Sequence, residues 1–260
     1  SWTTDDRQGL RDLVRGTDLV VSLLPAAFHV LVAEECLAQK KPLVTASYVS
    51  PAMRALDARA KASGVLLLNE IGVDPGIDHM SALKIIDQVK GDGGKIVSFR
   101  SYCGGLPAPE ANTNPWGYKF SWSPRGVLAA AKNSARYLKD GRQVDVPGPD
   151  LFKDLHILDV PGLGPLEAYP NRDATGYIDL YGLRGAKTVF RGTLRNQDWC
   201  RVLLKVANSG LFDENARDFK GMTFKSFTAA VVTGGKPETV KGDVADRFDV
   251  PIDSPPISWL

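Results

Sequence analysis

The chain of 260 residues has room for one or two domains, and 43% hydrophobic with 24% charged residues is typical of a globular protein. Its formal net charge of +2 is too small to indicate binding to nucleic acid or to a membrane surface. No apolar run approaches the roughly 20 residues that a membrane-spanning helix needs. These values exclude the strongly basic, strongly acidic and membrane-embedded classes of protein.

The three cysteines, Cys36, Cys103 and Cys200, lie far apart in the chain. Their odd number and wide spacing indicate a reducing compartment and no disulfide framework. The histidines are also distant from one another and no zinc-ligand spacing occurs, so we expect no metal site. Near Ser1 we find no charged and apolar signal segment.

Short apolar strands alternate with helices of about ten residues in the first part of the chain. We predict helices over residues 5–16, 28–37 and 52–61, and strands over residues 18–24, 42–45 and 65–68. This alternation predicts a parallel, doubly wound sheet. Residues 65–68 form a continuous apolar run, which is typical of a strand that is buried on both faces, and residues 18–24 are also predicted to form a buried strand.

Polar loops follow these three strands, at residues 22–25, 46–48 and 72–76. Ligands of open α/β sheets collect at the carboxyl ends of strands, so Asp74 lies where a carboxylate can meet a ligand. The alternative is that Asp74 and Asp78 only cap the next helix, which the apolar spacing from Ala82 to Val89 predicts. A Gly-rich phosphate loop is not found: the glycines of residues 91–94 follow a helix and are typical of a helix end. Either the sheet does not bind a nucleotide or its first half has been cut away.

The pattern changes after residue 94. We predict a half-exposed strand over residues 95–102, a stiff loop over 103–110, a helix from an N-cap at Ser123 to about Leu138, and turns with short strands over 141–165. A polar loop over 167–173, a strand over 188–195 and a helix over 198–209 follow. Residues 233–260 show no periodicity and predict a loosely held tail.

Several side chains in this second part suit a polar ligand. Arg172 and Arg195 carry a planar fork that matches a carboxylate, and with Asp74 they would suit a substrate with several carboxylates and an amine. The alternative is that they are ordinary solvated surface arginines. Cys103 is either a reactive thiol in the site or a small buried hydrophobic residue. Five aromatic residues serve either ring stacking or core packing: Tyr48, Tyr102, Tyr118, Trp122 and Tyr169.

Seven motifs, in order along roughly residues 17–215, resemble saccharopine dehydrogenase of the glutamate-forming type, also called saccharopine reductase. They are SLLP (22–25), VTASYVSP (44–51), NEIGVDPGIDH (69–79), SYCGGLPAPE (101–110), YKFSWS (118–123), YPNRD (169–173) and RGTLR (191–195). The resemblance implies an oxidoreductase of lysine metabolism that interconverts saccharopine with L-glutamate and aminoadipate semialdehyde. The implied reaction is hydride transfer through an imine with NADP or NAD as the cofactor.

The resemblance also implies a fold and an organisation. The fold class is α/β, with a partial variant Rossmann parallel sheet followed by a mixed α/β substrate domain and a small helical part. Residues 1–78 would form the C-terminal half of a Rossmann-like dinucleotide-binding domain. Residues 79–195 would form the mixed α/β domain for substrate binding and dimerisation. Residues 196–260 would form the small helical part with a loosely ordered tail. The implied assembly is a homodimer in the cytoplasm, with the mitochondrial matrix as the alternative compartment. No nucleic acid or membrane partner is implied.

The motif positions imply roles for individual residues. The implied substrate-binding residues are Ser47, Tyr48, Asp74, Arg172, Thr193, Leu194 and Arg195. The implied cofactor-binding residues are Leu23, Leu24, Ala46, Ser47, Tyr48, Gly72, Val73, Asp74 and Trp122. The candidates for the general acid or base are Asp74, Tyr48 and Cys103.

The chain departs from the family pattern at both ends. The family's first strand and Gly-rich loop would precede Ser1, and its closing segment would follow Leu260, so the chain resembles the middle of the enzyme. A second hypothesis is therefore an isolated substrate-domain fragment that folds, and dimerises or binds glutamate, without catalysis. A third is an imine reductase for another amino-acid or polyamine adduct, and the paired arginines argue against a polyamine.

Overall fold

The computed structural model describes residues 3–114, 116–213 and 215–253. It divides into two compact units, with the boundary between residues 95 and 96. The three-part organisation with boundaries at residues 78 and 195 stays a prediction.

The first unit contains a parallel sheet in the order β1 (Val20–Ser22), β2 (Leu43–Thr45), β3 (Leu67–Leu68). Ser22 is in register with Thr45, and Leu43 with Leu67. The helices are α1 (Arg7–Arg15), α2 (His29–Ala38), α3 (Pro51–Arg54), α4 (Asp57–Ser63) and α5 (Ile77–Gly91). The predicted parallel α/β sheet is therefore confirmed. The predicted helix over residues 52–61 is two helices, and Ser50 caps the first by accepting from the Met53 backbone N–H at 3.1 Å.

Burial of the strands on both faces was a wrong expectation. Helices α1 to α4 all contribute to one core cluster, in which Leu10, Val14, Val32 and Leu43 are buried. On the other face the side chains stay exposed: Val21 is 58% exposed, Leu66 57% and Leu68 38%. Helices α1 to α4 therefore pack together on one face of the sheet, and among the described residues the other face keeps exposed aliphatic side chains.

The second unit contains a six-stranded mixed sheet. Its strands are β4 (Ser98–Cys103), β5 (Ala135–Lys139), β6 (Arg142–Val146), β7 (His156–Val160), β8 (Gly164–Pro170) and β9 (Thr188–Arg195). The order is β6-β5-β9-β8-β7, and β4 pairs with β9 in parallel. Its helices are α6 (Pro124–Ala130), α7 (Tyr177–Leu180), α8 (Trp199–Ala207), α9 (Phe224–Thr228) and α10 (Val240–Phe248). Strand β9 is the centre of this sheet, because it pairs with β4, β5 and β8.

Three local predictions for this unit were wrong. The helix from Pro124 ends at Ala130, and residues 135–139 form β5, whose side chains alternate between buried and exposed with the period of a strand. Residues 167–170 belong to β8 rather than to a loop, because the Glu167 carboxylate is satisfied in the interior by backbone N–H groups. The predicted loose tail contains helix α10, which buries Val240 and Val244 against the segment Ala229–Thr233. Residues 254–260 of that tail lie outside the described residues.

Candidate active site

Three loops of the first unit follow the carboxyl ends of β1, β2 and β3, and we call residues 23–25, 46–50 and 69–76 the edge loops. Because the strands are parallel neighbours, the loops lie at one edge of the sheet, as predicted. Backbone hydrogen bonds join two of them: the Ile71 N–H donates to the Thr45 carbonyl, and the Glu70 N–H to the Ser47 carbonyl, both at 3.1 Å. The third loop segment is therefore fixed against the second.

The turn from Gly72 to Gly76 depends on its glycines. The Gly72 N–H donates to the Pro75 carbonyl at 2.8 Å, and the Ile77 N–H donates to the Gly72 carbonyl at 3.0 Å. Gly76 has a φ of 151°, and a Cβ on it would lie 2.1 Å from the Gly72 carbonyl oxygen. A Cβ on Gly72 would lie 3.2 Å from the Cβ of Ala46. A side chain at Gly76 would therefore collide with the backbone of the turn, and one at Gly72 would be tightly placed against the neighbouring loop.

Tyr48 and Asp74 come together at this edge. The Tyr48 hydroxyl donates to Oδ1 of Asp74 at 2.7 Å, and both side chains are half-buried. Asp78, in contrast, accepts from the Gly76 N–H at 2.6 Å, so it supports the start of α5. Gly76 is the N-cap of α5 and Asp78 supports it from the first turn of the helix, while Asp74 is directed to the edge loop that carries Tyr48.

Glu70 is a residue of this edge that sequence reasoning missed. Its φ is 60°, a left-handed conformation that is unusual for glutamate. One carboxylate oxygen accepts from the Val49 N–H at 3.0 Å, and the other lies 3.1 Å from Nε2 of His79. Nothing local in the sequence signals this role, because Val49 precedes Glu70 by 21 residues.

Apolar side chains predicted to line the cofactor are exposed at the same edge. Leu23 is 78% exposed and Val73 is 65% exposed, while Ala46, Gly72 and Leu24 are half-buried. Exposed aliphatic groups beside a side-chain-free backbone at Gly72 fit the face of a planar ring such as nicotinamide. Trp122, in the second unit, is 60% exposed.

In the second unit, four of the predicted residues share one end of the central strand. Thr193 is in register with Cys103 of β4, and Leu194 and Arg195 follow it on β9. Gly104 permits this approach, because a Cβ on it would lie 2.5 Å from the Leu194 carbonyl oxygen. Cys103 is half-buried. This exposure is compatible with a reactive thiol and with a buried hydrophobic residue, so both alternatives stay open.

Arg195 packs against two aromatic rings. Its guanidinium carbon lies 4.9 Å from the ring centre of Tyr118 and 5.5 Å from that of Trp199, and the residue is 8% exposed. One terminal nitrogen donates to the Leu194 carbonyl at 2.8 Å. Its Nε is buried and has no hydrogen-bond partner among the described residues. A buried N–H donor without a protein partner is suited to bind an anionic oxygen of a ligand.

Arg172 lies outside β9, in the loop that follows β8. It is exposed, with a φ of 58°, in the loop after β8. The loop is fixed by two bonds at 2.9 Å: the Asn171 N–H donates to the Arg191 carbonyl, and the Arg136 N–H donates to the Arg172 carbonyl. Arg191 precedes Arg195 by four residues on β9, or about 13 Å of extended strand. The structure therefore places Arg172 and Arg195 at separate levels of the sheet rather than side by side.

Glu167 and Tyr169 are buried on β8 opposite this end of β9, in register with Arg195 and Thr193. Burial raises the pKa of Tyr169, and the positive charge of Arg195 opposes that rise. Glu167 accepts from the backbone N–H of Asp198 at 2.8 Å and from that of Cys200 at 2.7 Å. Burial and this carboxylate raise the pKa of the Cys200 thiol, so it stays protonated. Glu167 therefore organises the start of α8, a role that the sequence did not indicate.

Within residues 3–114, 116–213 and 215–253, no group of three or more histidine, cysteine, aspartate or glutamate side chains could hold a metal ion. No helix of this part of the chain has the length and apolar character needed to cross a membrane.

The fold defines a class in which a parallel α/β unit is followed by a mixed-sheet unit. Two family descriptions match this order: "Saccharopine dehydrogenase NADP binding domain" over residues 1–68, and "Saccharopine dehydrogenase C-terminal domain" over residues 72–249. The chain belongs to the saccharopine dehydrogenase family.

Individual relatives agree with this assignment. The chain is 45% identical to a saccharopine dehydrogenase [NADP(+), L-glutamate-forming] of Pyricularia oryzae, over 89% of the chain and 52% of the relative. It is 46% identical to the alpha-aminoadipic semialdehyde synthase of Bos taurus, a protein named as mitochondrial, over 80% of the chain and 22% of the relative. A solved apo structure of saccharopine dehydrogenase (L-Glu forming) from Saccharomyces cerevisiae matches with a TM-score of 0.82 and 41% identity, over 96% of the chain and 56% of that structure. The chain thus spans about half the length of the fungal relatives that it matches.

Proposed function

We propose that the protein containing this chain interconverts saccharopine with L-glutamate and aminoadipate semialdehyde by hydride transfer with NADP(H). The observation that carries the proposal is the pairing of Tyr48 and Asp74, 2.7 Å apart, at the carboxyl edge of a parallel sheet. The adjoining Leu23 and Val73 side chains are exposed, and residues 1–68 match an NADP-binding domain. An acidic and hydroxyl pair beside an apolar surface suits an amine substrate and a planar redox cofactor.

On the substrate side, the proposal assigns carboxylate binding to the second unit. Arg195 offers a buried Nε without a partner among the described residues, and Arg172 is exposed on a loop that backbone hydrogen bonds hold. Arg172 beside residue 191 and Arg195 at the end of β9 suit two carboxylates of one long substrate better than a single carboxylate. Thr193 and Leu194 supply neighbouring contacts. The family motifs imply that Asp74 holds the substrate amine and that Ser47 and Tyr48 contact both substrate and cofactor.

On the cofactor side, the residues that would lie against the nicotinamide half are Leu23, Leu24, Ala46, Gly72, Val73 and Trp122. NADP accepts or supplies the hydride when it is bound. The residues of this chain then bind, orient and shield the reacting carbon. Asp74, Tyr48 and Cys103 stay the candidates for proton transfer, and among them Asp74 and Tyr48 already share a hydrogen bond.

The same proposal extends to assembly and location. We propose a homodimer, as the resemblance implies. We place the protein in the cytoplasm, with the mitochondrial matrix as the alternative, since the bovine relative is named as a mitochondrial protein.

The second candidate function is a binding fragment that folds, and dimerises or binds glutamate, but does not catalyse. The observation that favours it is that the chain spans about half the length of its fungal relatives. Binding of glutamate without binding of NADPH would distinguish it from the enzyme.

The experiment is an NADPH oxidation assay with glutamate and aminoadipate semialdehyde, on the chain as given and on the full-length protein that contains it. Oxidation that requires both substrates supports the proposal. Absence of turnover in the full-length protein rejects it, and turnover by the full-length protein alone assigns the chain as given to the second candidate function. A diamine in place of glutamate serves as the matched negative substrate, because the positive charges of Arg172 and Arg195 should repel it.

A further inference from the structure

His29 is a buried residue of the first unit that the proposed function does not use. It is the first residue of α2, and it is 2% exposed. Its Nδ1 lies 2.9 Å from the Ser22 hydroxyl, and its Nε2 lies 2.8 Å from the Ser47 hydroxyl and 3.1 Å from that of Thr45. One imidazole ring therefore connects the last residue of β1, the last residue of β2 and the edge loop that follows β2.

These contacts lie directly before the residues proposed to line the cofactor. Ser22 precedes Leu23 and Leu24, and Thr45 precedes Ala46. The Thr45 hydroxyl also accepts from the Ser47 backbone N–H at 3.3 Å, which tightens the loop onto the strand end. A rigid ring hydrogen-bonded at both ends fixes the spacing of two strand ends more closely than one hydrogen bond would.

The protonation of the ring matters for Ser47. Burial lowers the pKa of His29, so the neutral imidazole is favoured, with one donor and one acceptor nitrogen. If Nε2 accepts, the Ser47 hydroxyl proton is used inside the protein and its lone pairs are available to a ligand. If Nε2 donates, the hydroxyl proton is available instead. The ring thus decides whether Ser47 meets a ligand as an acceptor or as a donor.

We propose that His29 is a positioning residue that orients the Ser47 hydroxyl and sets the spacing of the edge loops after β1 and β2. The role of these loops in binding NADP and substrate rests on the proposed function. The hydrogen bonds of the ring do not, so they can be tested separately.

The test uses two variants that each keep one of the ring's positions. The amide of His29→Gln reaches the position of Nε2 and preserves the bond to Ser47, whereas the amide of His29→Asn reaches only the position of Nδ1 and the Ser22 bond. We expect hydrogen exchange of residues 45–49 to rise about fivefold to tenfold in His29→Asn and by less than twofold in His29→Gln. The control is residues 188–195 of β9, whose exchange should not change in either variant.

A third variant keeps the test decisive if His29→Asn does not fold. Ser22→Ala removes the Nδ1 partner and leaves the ring and its bond to Ser47, so exchange should rise at residues 22–25 and not at 45–49. An equal rise at residues 45–49 in the Gln and Asn variants, or a rise in neither, overturns the proposal.

The functional readout is made in the full-length protein. His29→Asn should raise the KM for NADPH or saccharopine about tenfold and leave kcat within twofold, because an interaction made in the bound ground state acts on KM. His29→Gln should keep the KM close to that of the unsubstituted protein. If the unsubstituted protein does not oxidise NADPH, the proposed function fails while the exchange result still decides the role of His29. Parallel losses of kcat and thermal stability in both variants would show a merely structural role.

Discussion

Tyr48 and Asp74 in the first unit are held by hydrogen bonds between loops, whereas Arg195 in the second unit is held by the rings of Tyr118 and Trp199. These loops are short, and the turn at residues 72–76 requires glycine at position 76. Small changes of the loop backbone would therefore move the Tyr48 and Asp74 side chains. Arg195 lies on the central strand of a six-stranded sheet and is part of the packed interior. The positions of Tyr48 and Asp74 are therefore sensitive to changes in the backbone of the loops. The position of Arg195 is sensitive to loss of side-chain packing.

Arg172 shows that this difference does not follow the boundary between the units. It belongs to the second unit, yet its side chain is exposed and its loop is held by backbone hydrogen bonds. A substitution of Arg172 should therefore affect ligand binding with little effect on folding, and a substitution of Arg195 should affect both. Four variants test this comparison.

The largest effect is expected at the turn of the first unit. Gly76→Ala should lower the free energy of unfolding by about 3 kcal/mol or more, because a Cβ would lie 2.1 Å from the Gly72 carbonyl oxygen and φ is 151°. Denaturant unfolding measures it. The matched control is Gly91→Ala, which has nothing within 4 Å of the added Cβ and should change stability by less than about 1 kcal/mol. Equal effects of the two variants would show that the turn does not need its glycine.

Arg195→Ala should lower the free energy of unfolding by about 2–3 kcal/mol, because it removes a buried guanidinium that packs on two aromatic rings. Thermal and denaturant unfolding are the measurements. The control is Arg201→Ala on α8, an arginine that is exposed beside Asp198, with an expected change within about 0.5 kcal/mol. A neutral Arg195→Ala would contradict the role of its packing.

Arg172→Ala should weaken saccharopine binding by about 2 kcal/mol, roughly a thirtyfold rise in KM, and should change the free energy of unfolding by less than about 0.5 kcal/mol. NADPH affinity should be little changed. Steady-state kinetics of the full-length protein measure the effect, and Arg184→Ala is the matched control because that arginine is exposed and pairs with Asp179. Unaltered kinetics of Arg172→Ala would remove this residue from the proposed site.

The smallest effect is expected for Tyr48→Phe, which removes one hydroxyl and its bond to Asp74. The loss of stability should be about 1 kcal/mol, and the KM for saccharopine should rise about fivefold because Asp74 loses the donor that orients it. Tyr102→Phe is the control: its hydroxyl bonds to His156 at the surface and should affect neither quantity by more than about 0.5 kcal/mol. A larger effect of Tyr102→Phe than of Tyr48→Phe would reverse the comparison.

The sequence by itself determined the elements whose signals are local. Apolar runs alternating with helical spacing predicted the parallel sheet β1-β2-β3, and residues 72–76, which carry Asp74, were predicted to form a polar loop after the third strand. Both depend on residues within a few positions of one another, so both can be recognised without the fold. The motifs added the family, which the matches over residues 1–68 and 72–249 confirm.

Only the tertiary structure decided which polar groups meet. Glu70 bonds to Val49 and His29 to Ser47 and Thr45 across 16 to 21 residues, and no local pattern encodes such pairs. The same holds for Glu167, whose polar surroundings predicted a loop, although the N–H groups at the start of α8 allow it to lie buried in β8. A buried polar group is stable only when a distant partner satisfies it, so the fold as a whole decides where it lies.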